Sequence, residues 1–334
     1  MLLPLMIEHK IEQWGICRVE KYLSRKQPLF TQISDKRLCQ FCVGLSFFIG
    51  FITTFVIVAF EIYLELLGEN WLAWDNLVKL LLINIIFIGL ELLLLFEIGF
   101  ITTALLINRA STENHFCDKM KASLVRAVME LSEPIDNIHG IKPYKELSKF
   151  RYIKVALYSG KDILSNFLIK AVLQKSISRS SVRVYIPLIS TLITGFWDAW
   201  VQQKALREVR LRISARIYVL NQVTLHKQRS VSITYRTALL RSIAVRQSYK
   251  QECDVNLELF YDEIYKQAPI TLTDIESSSL LLQSLSQLNP TEYNDVIDIL
   301  TTLLFFRHRL TVNEKKLLAQ CGIIQQQKIN PLLA

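Results

Sequence analysis

The sequence predicts an all-α fold, a two-helix transmembrane hairpin joined to cytoplasmic helical domains. Three observations predict it. Two long apolar runs, Leu38–Phe60 and Leu80–Asn108, lie in the N-terminal third. Glycine and proline are sparse, 10 and 8 in 334 residues, so few positions break a helix. The C-terminal third repeats helix-start signals ahead of apolar-periodic stretches. A hydrophobic fraction of 51% with a mean hydropathy of +0.27 fits a small membrane module attached to a larger water-facing part.

Residues 1–37 read as a basic arm broken at Pro28. Met1–Ile7 is too short for a signal-peptide core, so the first apolar run is expected to stay as an anchor. Leu38–Phe60 carries no charge between Arg37 and Glu61. At ~1.5 Å per residue it covers about 34 Å, enough for a ~30 Å hydrocarbon core. The connecting loop, 63–76, holds Glu65, Glu69 and Asp75, no lysine or arginine, and the interface-seeking Trp71 and Trp74. Basic residues flank the other ends: Lys10, Arg18, Lys21, Arg25, Lys26, Lys36 and Arg37 before the hairpin, Arg109, Lys119 and Lys121 after it. The positive-inside rule then puts both termini in the cytoplasm and the acidic loop outside.

The second run contains Asn84, Glu91 and Glu97. A carboxylate near the bilayer centre costs on the order of 2.5–3.5 kcal/mol. The run is overlong for one crossing, so Glu97 is expected at the inner headgroup level and Glu91 inside. Two readings of Glu91 stay open. It fastens the hairpin by hydrogen bonding to Asn84, Thr53 or Thr54, or it binds a proton or cation in an oligomeric bundle. Ile49–Thr54 and Ile98–Thr103 both read IGFITT, the pattern of an inverted repeat in antiparallel helices.

A third apolar segment, Val184–Trp197, is about 21 Å long as a helix, short for a span. Pro187 and Gly195 lie within it, Asp198 follows it, and both flanks are basic. It is expected to form a buried or interfacial helical hairpin. Val201–Leu220 then reads as an amphipathic helix. Leu206, Val209, Ile213, Ile217 and Leu220 share one face, and Lys204, Arg207, Arg210, Arg212 and Arg216 occupy the rest. Two readings stay open: those five cations contact lipid headgroups of the inner leaflet, or the helix packs its stripe on its own domain and keeps a solvated basic face.

The net charge of +9 is uneven. Residues 142–229 carry +13, while 1–141 carry −3 and 230–334 carry −1. A basic block beside a membrane module points to anionic phospholipid. No helix-turn-helix, zinc-finger or aromatic RNA-binding signature accompanies it, so nucleic acid is not an expected partner. The sequence thus divides into a basic arm (1–37), the hairpin (38–108), a basic membrane-associated region (109–229) and a C-terminal helical bundle (230–334).

In that bundle, helices are expected near 252–267, 274–288, 291–308 and 312–321. Capping boxes at Thr273–Glu276 and Thr311–Glu314, and Pro290 after Asn289, mark the starts. No catalytic motif appears: no HExxH, GxSxG, P-loop or GxGxxG. Cys39 and Cys42 form a lone CxxC without further ligands at metal spacing. No enzyme activity, cofactor or metal is expected.

Glu130-Leu-Ser-Glu-Pro through Ile141-Lys-Pro, Leu164-Ser-Asn-Phe-Leu-Ile-Lys, Ile186-Pro-Leu and Phe196-Trp-Asp-Ala-Trp200 resemble an uncharacterised family of bacterial integral membrane proteins. The match runs over most of 77–322, and its middle resembles EcsC-type membrane-associated proteins. The resemblance implies a membrane hairpin plus cytoplasmic helices. Ile299-Leu and Leu310-Thr-Val-Asn-Glu-Lys-Lys-Leu-Leu-Ala-Gln-Cys-Gly-Ile323 resemble the closing helices of TerB-like domains, which are linked to stress responses. The acidic Asp-Gly turn of those domains is replaced here by Arg307-His308. The expected role is a membrane-anchored scaffold or stress-associated interaction protein, docked on the inner leaflet and partnered by a membrane or cytoplasmic protein or by a second copy. The alternative is a subunit of an oligomeric ion or solute transporter using Glu91.

Overall fold

The computed structural model describes residues 2–25, 33–66, 74–110, 116–131, 185–229, 231–248, 254–267, 274–275, 277–306 and 312–321. Residues 142–184 of the basic block, residues 67–73 with Trp71, and the greater part of the segments that carry the first resemblance lie outside them. Among the described residues there are ten helices and no strand. They are α1 (Leu2–Leu23), α2 (Asp35–Leu66), α3 (Trp74–Arg109), α4 (Asp118–Val128), α5 (Tyr185–Gln228), α6 (Ile233–Ser248), α7 (Val255–Gln267), α8 (Ser278–Ser286), α9 (Pro290–Phe305) and α10 (Val312–Gln320).

The chain forms two compact units. One comprises Met1–Ile16, Leu106–Glu146 and Glu208–Ala334; the other comprises Cys17–Leu105 and Leu147–Arg207. In the first, α6 is the central helix. Ala238 to Leu240 and Ser242 to Gln247 are buried in unbroken runs, and α7, α8 and α9 pack around it. The core collects Val219 and Val223 of α5, Leu239 and Ile243 of α6, Phe260 and Ile264 of α7, Leu281 and Leu285 of α8, Leu300 and Leu304 of α9, and Leu317 of α10. Helix α4 packs on α7, where Lys119 pairs with Glu258 at 2.6 Å. Arg126 of α4 pairs with Glu12 of α1.

In the second unit α2 and α3 run antiparallel. Both are long and apolar enough to cross a membrane, over Asp35–Phe60 and Leu82–Arg109. Two segments join them there, the end of α1 and the first half of α5.

Two expectations are corrected. The segment Val184–Trp197 is not a hairpin: α5 is one helix of 44 residues that also includes Val201–Leu220. Pro187 falls in its first turn, where a missing N–H costs nothing. Helix α8 starts at Ser277, whose hydroxyl accepts from the Leu280 N–H at 3.5 Å, and not at residue 274. Asp274 sits at φ 46°, outside the helical region. The Glu314 carboxylate meets Arg246 in the core. The start of α9 is as expected, with Asn289 Oδ1 accepting from the Glu292 N–H at 2.8 Å and Pro290 in the first turn. Thr273, Glu276 and Thr311 lie outside the described residues.

Candidate functional site

The chemistry-bearing residues of the second unit gather where polar side chains interrupt its apolar helices. Thr53 of α2 donates its hydroxyl hydrogen to the Glu91 carboxylate of α3. Its Oγ1 also lies 2.9 Å from the Ile49 carbonyl and 3.2 Å from that of Gly50. Further along the pair, Cys42 Sγ lies 2.9 Å from Thr102 Oγ1. Thr102 and Thr103 are fully buried, and their hydroxyls bond back to the Ile98 and Gly99 carbonyls at 2.7 and 2.8 Å. Asn84 is half-buried, seven residues before Glu91.

The two IGFITT segments take part in a larger correspondence. The offset of 49 residues that carries Ile49 to Ile98 also carries Leu45 to Leu94 and Phe47 to Phe96. It carries Cys42 to Glu91 and Thr53 to Thr102, so it exchanges the Cys42–Thr102 contact with the Glu91–Thr53 contact. The stacked Phe47–Phe51 pair, at 6.2 Å between centroids, corresponds to Phe96–Phe100, at 6.4 Å. The antiparallel pair therefore repeats itself about a local two-fold relation, the geometry of an inverted repeat.

Glu97 is held from α1. Its Oε1 lies 3.1 Å from Arg18 Nε, and the Tyr22 hydroxyl donates to Oε2 at 2.5 Å. Sequence reading found the acid but neither partner, because nothing local links residue 18 or 22 to residue 97.

Asp198 was also missed as part of this site. A Cβ built on Gly50 would stand 1.9 Å from Asp198 Oδ2, so only glycine leaves room for that buried carboxylate against α2. One turn earlier, a Cβ on Gly195 would stand 2.8 Å from the Phe47 carbonyl oxygen. Phe196 meets Phe47 edge-on at 5.0 Å. Gly50 and Gly195 are thus close-approach positions for α2 and α5.

The five expected headgroup contacts separate. Lys204 and Arg207 are exposed, and Arg210 is half-buried. Arg212 turns inward: its Nη1 donates to the Ser123 carbonyl and hydroxyl at 2.6 and 2.8 Å, and its Nε meets Glu208 at 3.0 Å. Arg216 is 3% exposed and directs Nη2 at Cys117 Sγ, 3.8 Å away. Burial holds the Arg216 guanidinium below its usual pKa. A helix covered on both faces cannot present these two cations to a surface.

The first unit holds two buried polar clusters. Arg246 Nη1 and Glu314 Oε1 are 2.9 Å apart with side chains 2% and 0% exposed. His226 Nδ1 faces the Gln222 carbonyl at 2.7 Å, its Nε2 lies 2.8 Å from the Tyr235 hydroxyl, and that hydroxyl lies 2.7 Å from Asp295 Oδ2. The Gln222 carbonyl only accepts, so Nδ1 carries a proton. The single Tyr235 proton then serves either Nε2 of the neutral imidazole or Asp295. Burial pushes His226 below its ordinary range, and Tyr235 is pushed up by burial and by the hydrogen bond to Asp295.

Among the described residues no group of three or more His, Cys, Asp or Glu side chains is arranged to hold a metal ion. No protein-family model, curated protein or solved structure matches the chain.

Proposed function

We propose that this chain is a non-enzymatic, membrane-anchored interaction protein of a bacterial inner membrane, with α2 and α3 as a hairpin anchor and both termini in the cytoplasm. The supporting observation is the apolar surface of the second unit. Phe41, Phe48, Ile52 and Phe55 of α2 and Leu82, Ile85, Ile86, Leu90 and Leu93 of α3 are all 44% exposed or more. Each such side chain costs about 1.5–3 kcal/mol when left in water rather than buried, and acyl chains remove that cost. The first unit, with its own core, is the water-facing partner module. The exposed Lys204 and Arg207 face anionic headgroups. Glu91 serves to fasten the hairpin, since Thr53 satisfies it across the helix pair.

The test is fractionation with topology. The protein is expected to resist alkaline carbonate extraction, and tags at either terminus are expected to survive protease added to intact spheroplasts. Release by carbonate, or cleavage of a tag from outside, overturns the reading.

A further inference from the structure

The first half of α5 is amphipathic the wrong way round for water. Ile189, Leu192, Ile193, Phe196 and Trp200 follow the i, i+3, i+4, i+7 spacing of one helix face, and they are 51%, 45%, 44%, 66% and 53% exposed. The opposite face carries Thr191, Thr194, Asp198 and Gln202, which are 1%, 9%, 7% and 5% exposed. A helix that packs on a domain in water buries its apolar stripe and solvates its polar one. This helix does the reverse.

We infer that residues 189–200 of α5 are a third membrane-embedded segment whose apolar stripe lies against lipid acyl chains. The inference rests on the membrane reading of α2 and α3. Within the same unit, Gly195 and Asp198 seat this segment directly on α2 at Phe47 and Gly50. Beside that contact α2 exposes Phe48 and Ile52 at 58% and 55%, so the stripe continues a surface that already needs lipid. The backbone is helical throughout, which satisfies its own polar groups in hydrocarbon. Asp198, costly at an acyl surface, is turned against Gly50 instead.

Lipid fits the stripe better than a second copy does. Helix pairs in membranes meet through small residues that let backbones approach. Here Thr191, Thr194 and Gly195 are on the buried face, and Ile189, Leu192, Ile193, Phe196 and Trp200 make up the exposed stripe. The segment enters without crossing. Its uncharged stretch covers about 21 Å of a ~30 Å core.

The experiment is photocrosslinking of the full-length chain in vesicles of phosphatidylethanolamine and phosphatidylglycerol. Benzoylphenylalanine replaces Phe196 or Leu192, with Ile85 of α3 as the hairpin reference and the exposed Ile233 of α6 as the aqueous one. Intact mass reports lipid adducts, and gel mobility reports crosslinked copies. Adduct yield at Phe196 and Leu192 is expected to match Ile85 and to exceed Ile233 by at least about tenfold. Adducts at Ile85 with none at Phe196 and Leu192, or with copy-to-copy crosslinks there instead, overturn the inference and leave the hairpin standing. No adduct at Ile85 either overturns the membrane reading and this inference together.

Discussion

Replacing Glu314 by alanine takes its carboxylate away from the Arg246 guanidinium in a dry core. The two side chains are 0% and 2% exposed and meet at 2.9 Å. Helix α10 has nine residues, too short to be stable alone. Its hold on the unit is the buried Leu317, Leu318 and Cys321 together with Glu314. Removing one member of a buried ion pair costs about 3–5 kcal/mol, because the stranded charge keeps its desolvation penalty. At roughly 2–4 °C per kcal/mol for a unit of this size, the melting temperature should fall by about 6–20 °C. Replacing both partners, as R246M/E314L, removes both charges and fills their space. It is expected to be neutral or stabilising by up to about 4 kcal/mol. The assay is thermal melting of the full chain in mild detergent by circular dichroism, with hydrogen exchange read on peptides covering 299–321. E314A should melt early and exchange fast over α10; the double variant should recover both. If R246M/E314L melts as low as E314A, the pair is not facing in a dry core and the reasoning fails.

Two further outcomes follow from the geometry. Burial places the folded His226 pKa below the ordinary value of 6.5, so the unfolded chain binds the proton more readily. Stability is then fully present above about pH 6.5 and is lost as the pH falls from there toward the folded pKa. The melting temperature should drop on acidification across that window, and H226Q should remove that part of the drop. A rise instead would mean that protonation, by giving Nε2 a hydrogen for Tyr235, outweighs the cost of burial. In the hairpin, Gly50→Ala puts a methyl group 1.9 Å from Asp198 Oδ2, whereas Gly44→Ala meets nothing within 4 Å. G50A should cost about 1–3 kcal/mol and be relieved by D198A, while G44A should be neutral or slightly stabilising. Equal melting of G50A and G44A in detergent would refute the α2–α5 contact.

Fold class was legible because uncharged length and caps are local signals. The apolar runs and the Asn289–Pro290 start needed no knowledge of neighbours. Helix α6 was missed for a physical reason. Its sequence, ITYRTALLRSIAVRQS, scatters arginines among apolar residues and has no single stripe, because it is packed on all sides. Periodicity detects a helix with one wet face, and α6 has none over most of its length. Arg216 and Arg246 were hidden similarly, since an arginine reads as surface until its partner is known, and those partners lie 99 and 68 positions away. The apolar stretch before Asp198 was legible as apolar, but the direction of its stripe was not. Gly50 and Gly195 show which face α2 takes, and that information is tertiary.

The two-fold relation within the hairpin clarifies Glu91. Its equivalent is Cys42, and each binds the equivalent threonine of the other helix. Thiols are weak hydrogen-bonding groups, so the Cys42 end needs another source of cohesion. Packing supplies it: Phe100 and the run from Thr102 to Leu105 on α3 are buried, mostly completely. At the other end Leu90, Leu92, Leu93 and Leu94 are exposed around Glu91, and protein packing there is one-sided. Acyl chains give helices no hydrophobic reason to associate, so a polar bond across the pair carries more of the pairing. A carboxyl group accepting from Thr53 supplies a stronger bond than a thiol at the place where packing supplies less. The proposed fastening role of Glu91 accounts for this asymmetry of an otherwise repeated hairpin.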